Sequence, residues 1–270
     1  MPQPINSLGR VLIIGSKGLL GGDLARFLSG FSEIVGVDKG NYDEHRGKRF
    51  DILVNANGNS RRFWANEHPF DDFEASTVSV YRTLIDFQFK KYIYISSSDV
   101  YEDHSSPATT DEDQKITAEN LSPYGFHKYM SEFLVRNRVK DFLVLRSSMM
   151  LGTQLHKGPL FDITQGAPLF ISKDSRLQMV STRAIADIIA FLCAKGISRE
   201  TFNIGGEGAF PFSEMERVVS LPVRVAPEAV RQEYEMNVKK LSAIFPLKTS
   251  TEYLKEFLTK QGIYSSARVA

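Results

Sequence analysis

The sequence predicts an α/β fold built on a doubly wound parallel sheet, and two observations carry that prediction. Short apolar runs rich in β-branched residues alternate with segments of helical spacing over residues 1–150. The first run also passes into the first helix through a glycine-rich turn. Runs of this kind suit strands covered on both faces, and strand–helix alternation implies right-handed crossovers between parallel neighbours.

The elements follow in order. "RVLIIG" is the first strand and "LLGGDLARFLSG" the first helix; "EIVGVD" and "FDILVNANG" are the second and third strands. "TVSVYRTLIDFQF" has helical spacing, "KYIYISSSDVY" reads as a fourth strand, "YGFHKYMSEFLVRN" as a helix and "DFLVLRSS" as a fifth strand. Beyond residue 150 the regularity weakens, and "GTQLHKGPLFDITQGAPLF" is rich in Gly and Pro without a sustained period. A helix in "TRAIADIIAFLCAKG", a strand in "TFNIGG" and a helix in "STEYLKEFLTKQG" complete the chain. Ligands of open α/β sheets sit beyond the carboxyl ends of the strands. Residues 151–270 are therefore expected to form mostly a small substrate-binding lobe over a dinucleotide-binding domain of residues 1–150, with some segments returning to the sheet.

Composition narrows the partners. The 270 residues are 42% hydrophobic and 24% charged, with a formal charge of +1, which offers no electrostatic footprint for nucleic acid or an anionic membrane. Small molecules are the expected partners, and no metal site is assigned. The one cysteine, Cys193, cannot form an internal disulfide, and "IIAFLCAKG" reads as a buried helix face holding an inert thiol. In "MPQPINSLGRVLIIGSKG" the apolar run Val11–Ile14 is too short for a signal peptide or a membrane span. A soluble, cytoplasmic protein is expected, with a homodimer as a candidate assembly.

The turn "GSKGLLGG" places Gly15, Gly18 and Gly21 in the pattern G-x-x-G-x-x-G between a strand and a helix. The first glycine permits the tight turn, the second lets backbone approach a pyrophosphate, and the third allows close helix packing, as in a dinucleotide-binding (Rossmann) unit. Asp38 ends the second strand about 20 residues on, where a carboxylate accepts hydrogen bonds from the adenosine ribose and repels a 2′-phosphate. NAD is thus expected rather than NADP, with Lys17 and Lys39 as nearby cations that soften the discrimination.

In "LSPYGFHKYMSE", Tyr124 and Lys128 are four residues apart and share one helix face. A phenol titrates near 10 and is a poor proton carrier at neutral pH, but a neighbouring ammonium favours its phenolate. "ISSSDVY" brings serine hydroxyls to the carboxyl end of the fourth strand, and spacing alone does not choose among Ser96, Ser97 and Ser98. A serine there can hold a substrate oxygen while tyrosine passes the proton.

Through "GSKGLLG", "VD", "SSSDVY", "SPYGFHK", "LRSSMMLG", "MVSTRAIADIIAFL" and "FNIGG", the chain resembles the extended short-chain dehydrogenase/reductases. These include nucleotide-sugar epimerases, dehydratases and ketoreductases such as UDP-galactose 4-epimerase. In that family the catalytic Ser or Thr lies three positions before the valine of a Val-Tyr pair, here Val100, which selects Ser97. The resemblance makes Tyr124 the acid/base, while Lys128 binds the nicotinamide ribose and lowers the tyrosine pKa.

Two positions depart from the pattern: Ser76 stands where the family usually has Asn before the fourth strand, and Met149 where an Asn normally reaches the sugar nucleotide. Arg61 and Arg62 read either as a diphosphate clamp or as solvated loop residues. His127 is expected on a different side of the helix from Lys128. Family dehydratases carry an acid pair, often Asp-Glu, after the catalytic Ser or Thr; Ser98 and Asp99 stand there, so no 4,6-dehydration is expected. The resemblance implies an NAD-dependent epimerase or 4-ketoreductase of a nucleoside-diphosphate sugar. A dehydrogenase of a non-sugar secondary alcohol and a dinucleotide-sensing regulator without catalysis are the alternatives.

Overall fold

The computed structural model describes residues 8–59 and 61–265. At its centre lie β1 (Arg10–Ile14), β2 (Glu33–Val37), β3 (Arg49–Asn55), β4 (Gln88–Ser97), β5 (Phe142–Ser147) and β6 (Glu200–Ile204). They form one sheet in the order β6-β5-β4-β3-β1-β2, every pair parallel. The strand read in "TFNIGG" therefore leaves the second half of the chain and completes the sheet beside β5. Because β1 has β2 on one side and β3 on the other, the chain winds away in both directions and opens a crevice at their carboxyl ends.

Strand residues alternate between two apolar layers, as the two-residue period of a strand requires. Val11, Ile13, Ile52, Val54, Ile93, Ile95, Leu143 and Leu145 enter one layer; Leu12, Ile14, Leu53, Tyr92, Tyr94 and Val144 enter the other. The longer helices are α1 (Leu19–Leu28), α2 (Ser79–Asp86), α3 (Pro123–Arg138), α4 (Thr182–Ala194) and α5 (Ser250–Lys260). Apolar residues of α1, α4 and α5 fill the first layer, while Val80 of α2 and Val135 of α3 enter the second. Helices thus cover both faces.

Some boundaries differ from the sequence reading. The helix read through Phe89 stops at Asp86, because Phe87 is already extended and β4 starts at Gln88; Phe87 packs edge-on against Tyr42 and Phe50. The strand read through Tyr101 stops at Ser97, whose side chain accepts a hydrogen bond from the Asp99 backbone and folds Ser98–Val100 into a 3-10 turn. Cys193 is only half-buried, at the margin of the core; its surroundings still push the thiol up to about 11. Residues 1–7, part of the stretch read for a leader, lie outside the described residues, and Val11–Ile14 belongs to β1. Among the described residues no helix is long and apolar enough to cross a membrane.

The irregular half is held by short pairings and by polar ties to the first half. Met149–Leu151 runs parallel to Met179–Ser181, and Arg176–Leu177 lies between Phe210–Pro211 and Glu233–Tyr234. Buried Asp23 of α1 accepts from the Thr153 backbone at 2.9 Å and from Thr182 Oγ1 at 2.6 Å, fastening the first helix to residues after β5 and to the start of α4.

A buried ion pair sets α3 on the sheet. Arg146 of β5 gives a two-pronged contact to Glu132, Nη2 to Oε2 at 2.8 Å and Nε to Oε1 at 3.0 Å, and Ser96 Oγ donates to Oε1 at 2.6 Å. Removing one partner strands the other charge. Glu132→Gln is expected to lower unfolding free energy by about 3–5 kcal/mol in urea denaturation, and pairing it with Arg146→Met should recover part of that loss.

Candidate active site

The glycine turn is tight for identifiable reasons. Gly15 has φ +83°, its N–H donates to Val37 O at 2.8 Å, and it accepts from Gly18 N–H at 2.9 Å. A β-carbon on Gly21 would stand 2.2 Å from Gly15 O, so the third glycine lets α1 pack onto the turn. Gly18 caps α1 without a side-chain bond, leaving the first N–H groups of the helix available to an anion. These features fit a dinucleotide pyrophosphate at the turn.

Asp38 follows β2 at the same end of the sheet. Its carboxylate accepts from Gly40 N–H at 2.7 Å and pairs with Lys17 Nζ at 2.8 Å. Lys17, then the Gly40 amide, holds the carboxyl below its ordinary range. Lys17 therefore partly neutralises the charge that was expected to repel a 2′-phosphate; Lys39 is exposed.

Ser97 ends β4, and α3 brings Tyr124 and Lys128 to it. Ser122 caps that helix by accepting from Gly125 N–H at 3.2 Å, with Pro123 in the first turn. Gly125 is the residue that sequence reasoning passed over: a β-carbon there would lie 2.1 Å from Asp99 O, so only glycine lets the helix close on the turn after Ser97. Tyr124 and Lys128 are both buried on the face turned to the sheet. Burial, then the Asp99 carboxylate, pushes the Tyr124 phenol up, while Arg62 and the Ser97 hydroxyl pull the other way. In the protein by itself Tyr124 is thus held as a phenol.

Lys128 Nζ donates to Ile95 O at 3.3 Å and lies 5.4 Å from the centre of the Tyr94 ring. Burial depresses its pKa to about 8, against the pull of Asp72, Asp99 and Glu132. Asp72 is fully buried; it meets His127 Nδ1 at 2.6 Å and accepts from Ser76 Oγ at 3.5 Å. Ser76 lies in a π-helical turn, Glu74–Val78. A β-carbon on Gly58, at φ +127°, would stand 3.3 Å from Lys128 Nζ and 3.5 Å from Ser76 Oγ, so these three residues meet. Met149 opens its short strand and packs at the core margin.

Arg62 is not a free clamp. Its Nε lies 2.8 Å from Asp99 Oδ1 and 3.0 Å from Oδ2, and its Nη1 donates to Tyr234 OH at 2.6 Å. Arg61 is exposed; its charge, after burial, helps hold Lys157 at about 8. Asp99, which with Ser98 stands where family dehydratases carry their acid pair, is occupied by Arg62, Ser97 Oγ at 2.7 Å and Tyr234 OH at 3.4 Å. No spacing rule could have found Tyr234, which comes from more than a hundred residues further along the chain.

The family model described as the NAD dependent epimerase/dehydratase family matches residues 11–205. The chain belongs to this family. Similar solved structures include a dTDP-4-dehydrorhamnose reductase from Bacillus anthracis in complex with NADP, at TM-score 0.74 and 18% identity, over 93% of this chain and 99% of that one. A UDP-galactose 4-epimerase aligns at TM-score 0.75 and 18% identity over the same shares. A UDP-glucuronic acid 4-epimerase from Bacillus cereus, in complex with UDP-glucuronic acid and NAD, aligns at TM-score 0.70 and 18% identity, over 93% and 99%. These likenesses establish a shared fold. Among curated proteins no sequence matches.

Within this epimerase/dehydratase fold the buried Lys128 has a measurable consequence. Between pH 8 and 10.5 the unfolded chain holds this proton and the folded chain does not, so the residue's contribution to stability rises with pH across that window. Lys128→Met is therefore expected to be more stable than wild type near pH 7 by up to about 3 kcal/mol, and the gap should close by pH 10.5 in paired urea titrations.

Proposed function

We propose that the chain is an NAD-dependent oxidoreductase or epimerase of a nucleoside-diphosphate sugar, an epimerase or a 4-ketoreductase. The observation that carries the reading is the convergence of Ser97, Tyr124 and Lys128 at the carboxyl end of β4, on the edge of the crevice opened by the glycine turn. Residues 1–150 bind the dinucleotide, and residues 151–270 mostly cover the substrate. Gly15, Gly18 and Gly21 admit the pyrophosphate, and Asp38 accepts from the adenosine ribose. Bound there, a nicotinamide supplies the hydride acceptor and donor.

The chain's own residues handle the proton. Tyr124, kept as a phenol by burial, gives its proton to a substrate carbonyl oxygen or recovers it from the alcohol. Ser97 donates a hydrogen bond to the same oxygen, and Lys128 holds positive charge beside the nicotinamide ribose. With Asp99 tied to Arg62 and Tyr234, and Ser98 unable to act as a strong acid, no acid/base pair serves an elimination. The reaction ends at hydride and proton transfer.

The same reading carries a cytoplasmic homodimer. Its support is the single cysteine and the exposed Ile85 and Phe133 on α2 and α3, which pack side by side.

Incubation with a panel of UDP- and dTDP-sugars, with mass spectrometry for retained NAD, tests the reading. Retained NAD with sugar interconversion marks an epimerase, and consumption of NADH a reductase; binding without turnover marks the regulator instead. Tyr124→Phe is expected to abolish turnover while cofactor affinity stays within a few-fold, and substantial residual activity would remove Tyr124 from its role. Wild type should bind NADH more tightly than NADPH by fluorescence titration, and Asp38→Ala should narrow the difference, since Lys17 is then free to meet a 2′-phosphate. Equal affinities in the wild type would count against the carboxylate.

A further inference from the structure

A hydroxyl has one proton, and in this structure Ser97 directs it to Asp99. Its Oγ donates to Asp99 Oδ2 at 2.7 Å and accepts from the Asp99 backbone N–H at 3.3 Å. Residue 99 therefore engages the serine in both directions. For Ser97 to donate to a substrate oxygen, the proton must turn away from Asp99, a buried carboxylate for which losing a donor is costly unless others remain.

Two donors do remain. Arg62 Nε contacts both Asp99 oxygens, at 2.8 and 3.0 Å, and Tyr234 OH reaches Oδ1 at 3.4 Å. Each is braced. The Arg62 guanidinium lies 4.3 Å from the Tyr234 ring centre and also donates to its hydroxyl, while His104 stacks on that ring at 3.8 Å and 15°. The His104 Nδ1 sits 3.0 Å from Glu233 O, so the stack is anchored to the strand carrying Tyr234.

We propose that Arg62, Asp99 and Tyr234 form a latch on Ser97: Asp99 holds the serine proton before substrate binds, and Arg62 and Tyr234 keep the carboxylate satisfied when Ser97 turns to the substrate oxygen. This rests on the function proposed above. Asp99, Arg62 and Tyr234 are positioning residues that act through Ser97. Since Tyr234 belongs to the second half of the chain, the latch ties the readiness of Ser97 to the seating of that half over the sheet. The opposed effects of Asp99 and Arg62 on the Tyr124 phenol agree with the same balance.

The rescue pattern tests this. With whichever sugar nucleotide the wild type accepts, Arg62→Met is expected to lower kcat about 10- to 100-fold, the range of a hydrogen bond to a charged group, with little change in NADH affinity. Tyr234→Phe should do so more mildly. Asp99→Asn should cost clearly less than Arg62→Met, and adding it to Arg62→Met should restore most of the lost kcat, because no bare carboxylate then competes for the serine proton. Additive losses, or a loss in Asp99→Asn as large as in Arg62→Met, would overturn the latch.

A substrate-free series separates it from the functional reading. In Ser97→Cys, alkylation of the new thiol by iodoacetamide at pH 8 should be accelerated about tenfold by Asp99→Asn and slowed by Arg62→Met, because a neighbouring carboxylate opposes the thiolate and a guanidinium offsets it. Cys193, its thiol pushed up to about 11, reacts slowly and is distinguished by peptide mass spectrometry. If wild type turns over no sugar nucleotide, the functional reading falls and this series still decides the latch; rates unmoved by either change would remove it.

Discussion

The contact on which the rest of the site depends is the buried pair between Glu132 and Arg146. It joins the middle of α3 to β5, and its reach is wider than two residues. Glu132 accepts from Ser96, the neighbour of Ser97, while Arg146 Nη1 donates to Tyr101 OH, which donates in turn to Asn203 on β6. One network therefore spans β4, β5, β6 and the helix carrying Tyr124 and Lys128. A buried ion pair is poor evidence of net stability, since desolvation offsets much of the attraction. What it does supply here is position: sliding α3 along the sheet would carry Glu132, with its helix neighbour Arg136, away from Arg146 and leave that buried guanidinium without its carboxylate.

Around that fixed helix the site is assembled from close approaches that ordinary side chains would block. Gly125 lets α3 settle on the Asp99 carbonyl, Gly21 lets α1 settle on Gly15, and Gly58 leaves room where Lys128 and Ser76 meet. The π-helical turn at Glu74–Val78 places Ser76 beside Lys128, and Asp72 of the preceding helical segment, Pro69–Phe73, accepts from Ser76. Departures from regular geometry gather where groups of different elements converge, as they do at functional sites generally.

Electrostatically, buried charges are set against one another instead of being left to solvent. Lys128 loses part of its hold on a proton to burial, and Asp72, Asp99 and Glu132 return some of it. Tyr124 is raised by burial and Asp99 and eased by Arg62. Asp99 thus raises the pKa of both Tyr124 and Lys128, and Arg62, paired with Asp99, opposes it at Tyr124. This arrangement brings Tyr234, from the second half of the chain, into the polar cluster at the end of β4.

What the sequence determined by itself are the features written in neighbouring residues: the short apolar runs of β1 and β3 to β5, the strand–turn–helix of Gly15 to Gly21, the acid after β2, and the four-residue step from Tyr124 to Lys128. Each depends on neighbours along the chain, so spacing carries it. Spacing carries the helix too far, through Phe87 and Phe89, because residues suited to helix and strand overlap there; the chain is already extended from Phe87. Contacts between distant segments were left to the tertiary structure: the Arg62–Asp99–Tyr234 cluster, the Asp72–His127 pair, the hold of Asp23 on Thr153 and Thr182, and the pairing of Lys17 with Asp38. Their partners are brought together by the winding of the sheet and the closure of the second half, and a side chain's charge says nothing about which distant group will share its pocket.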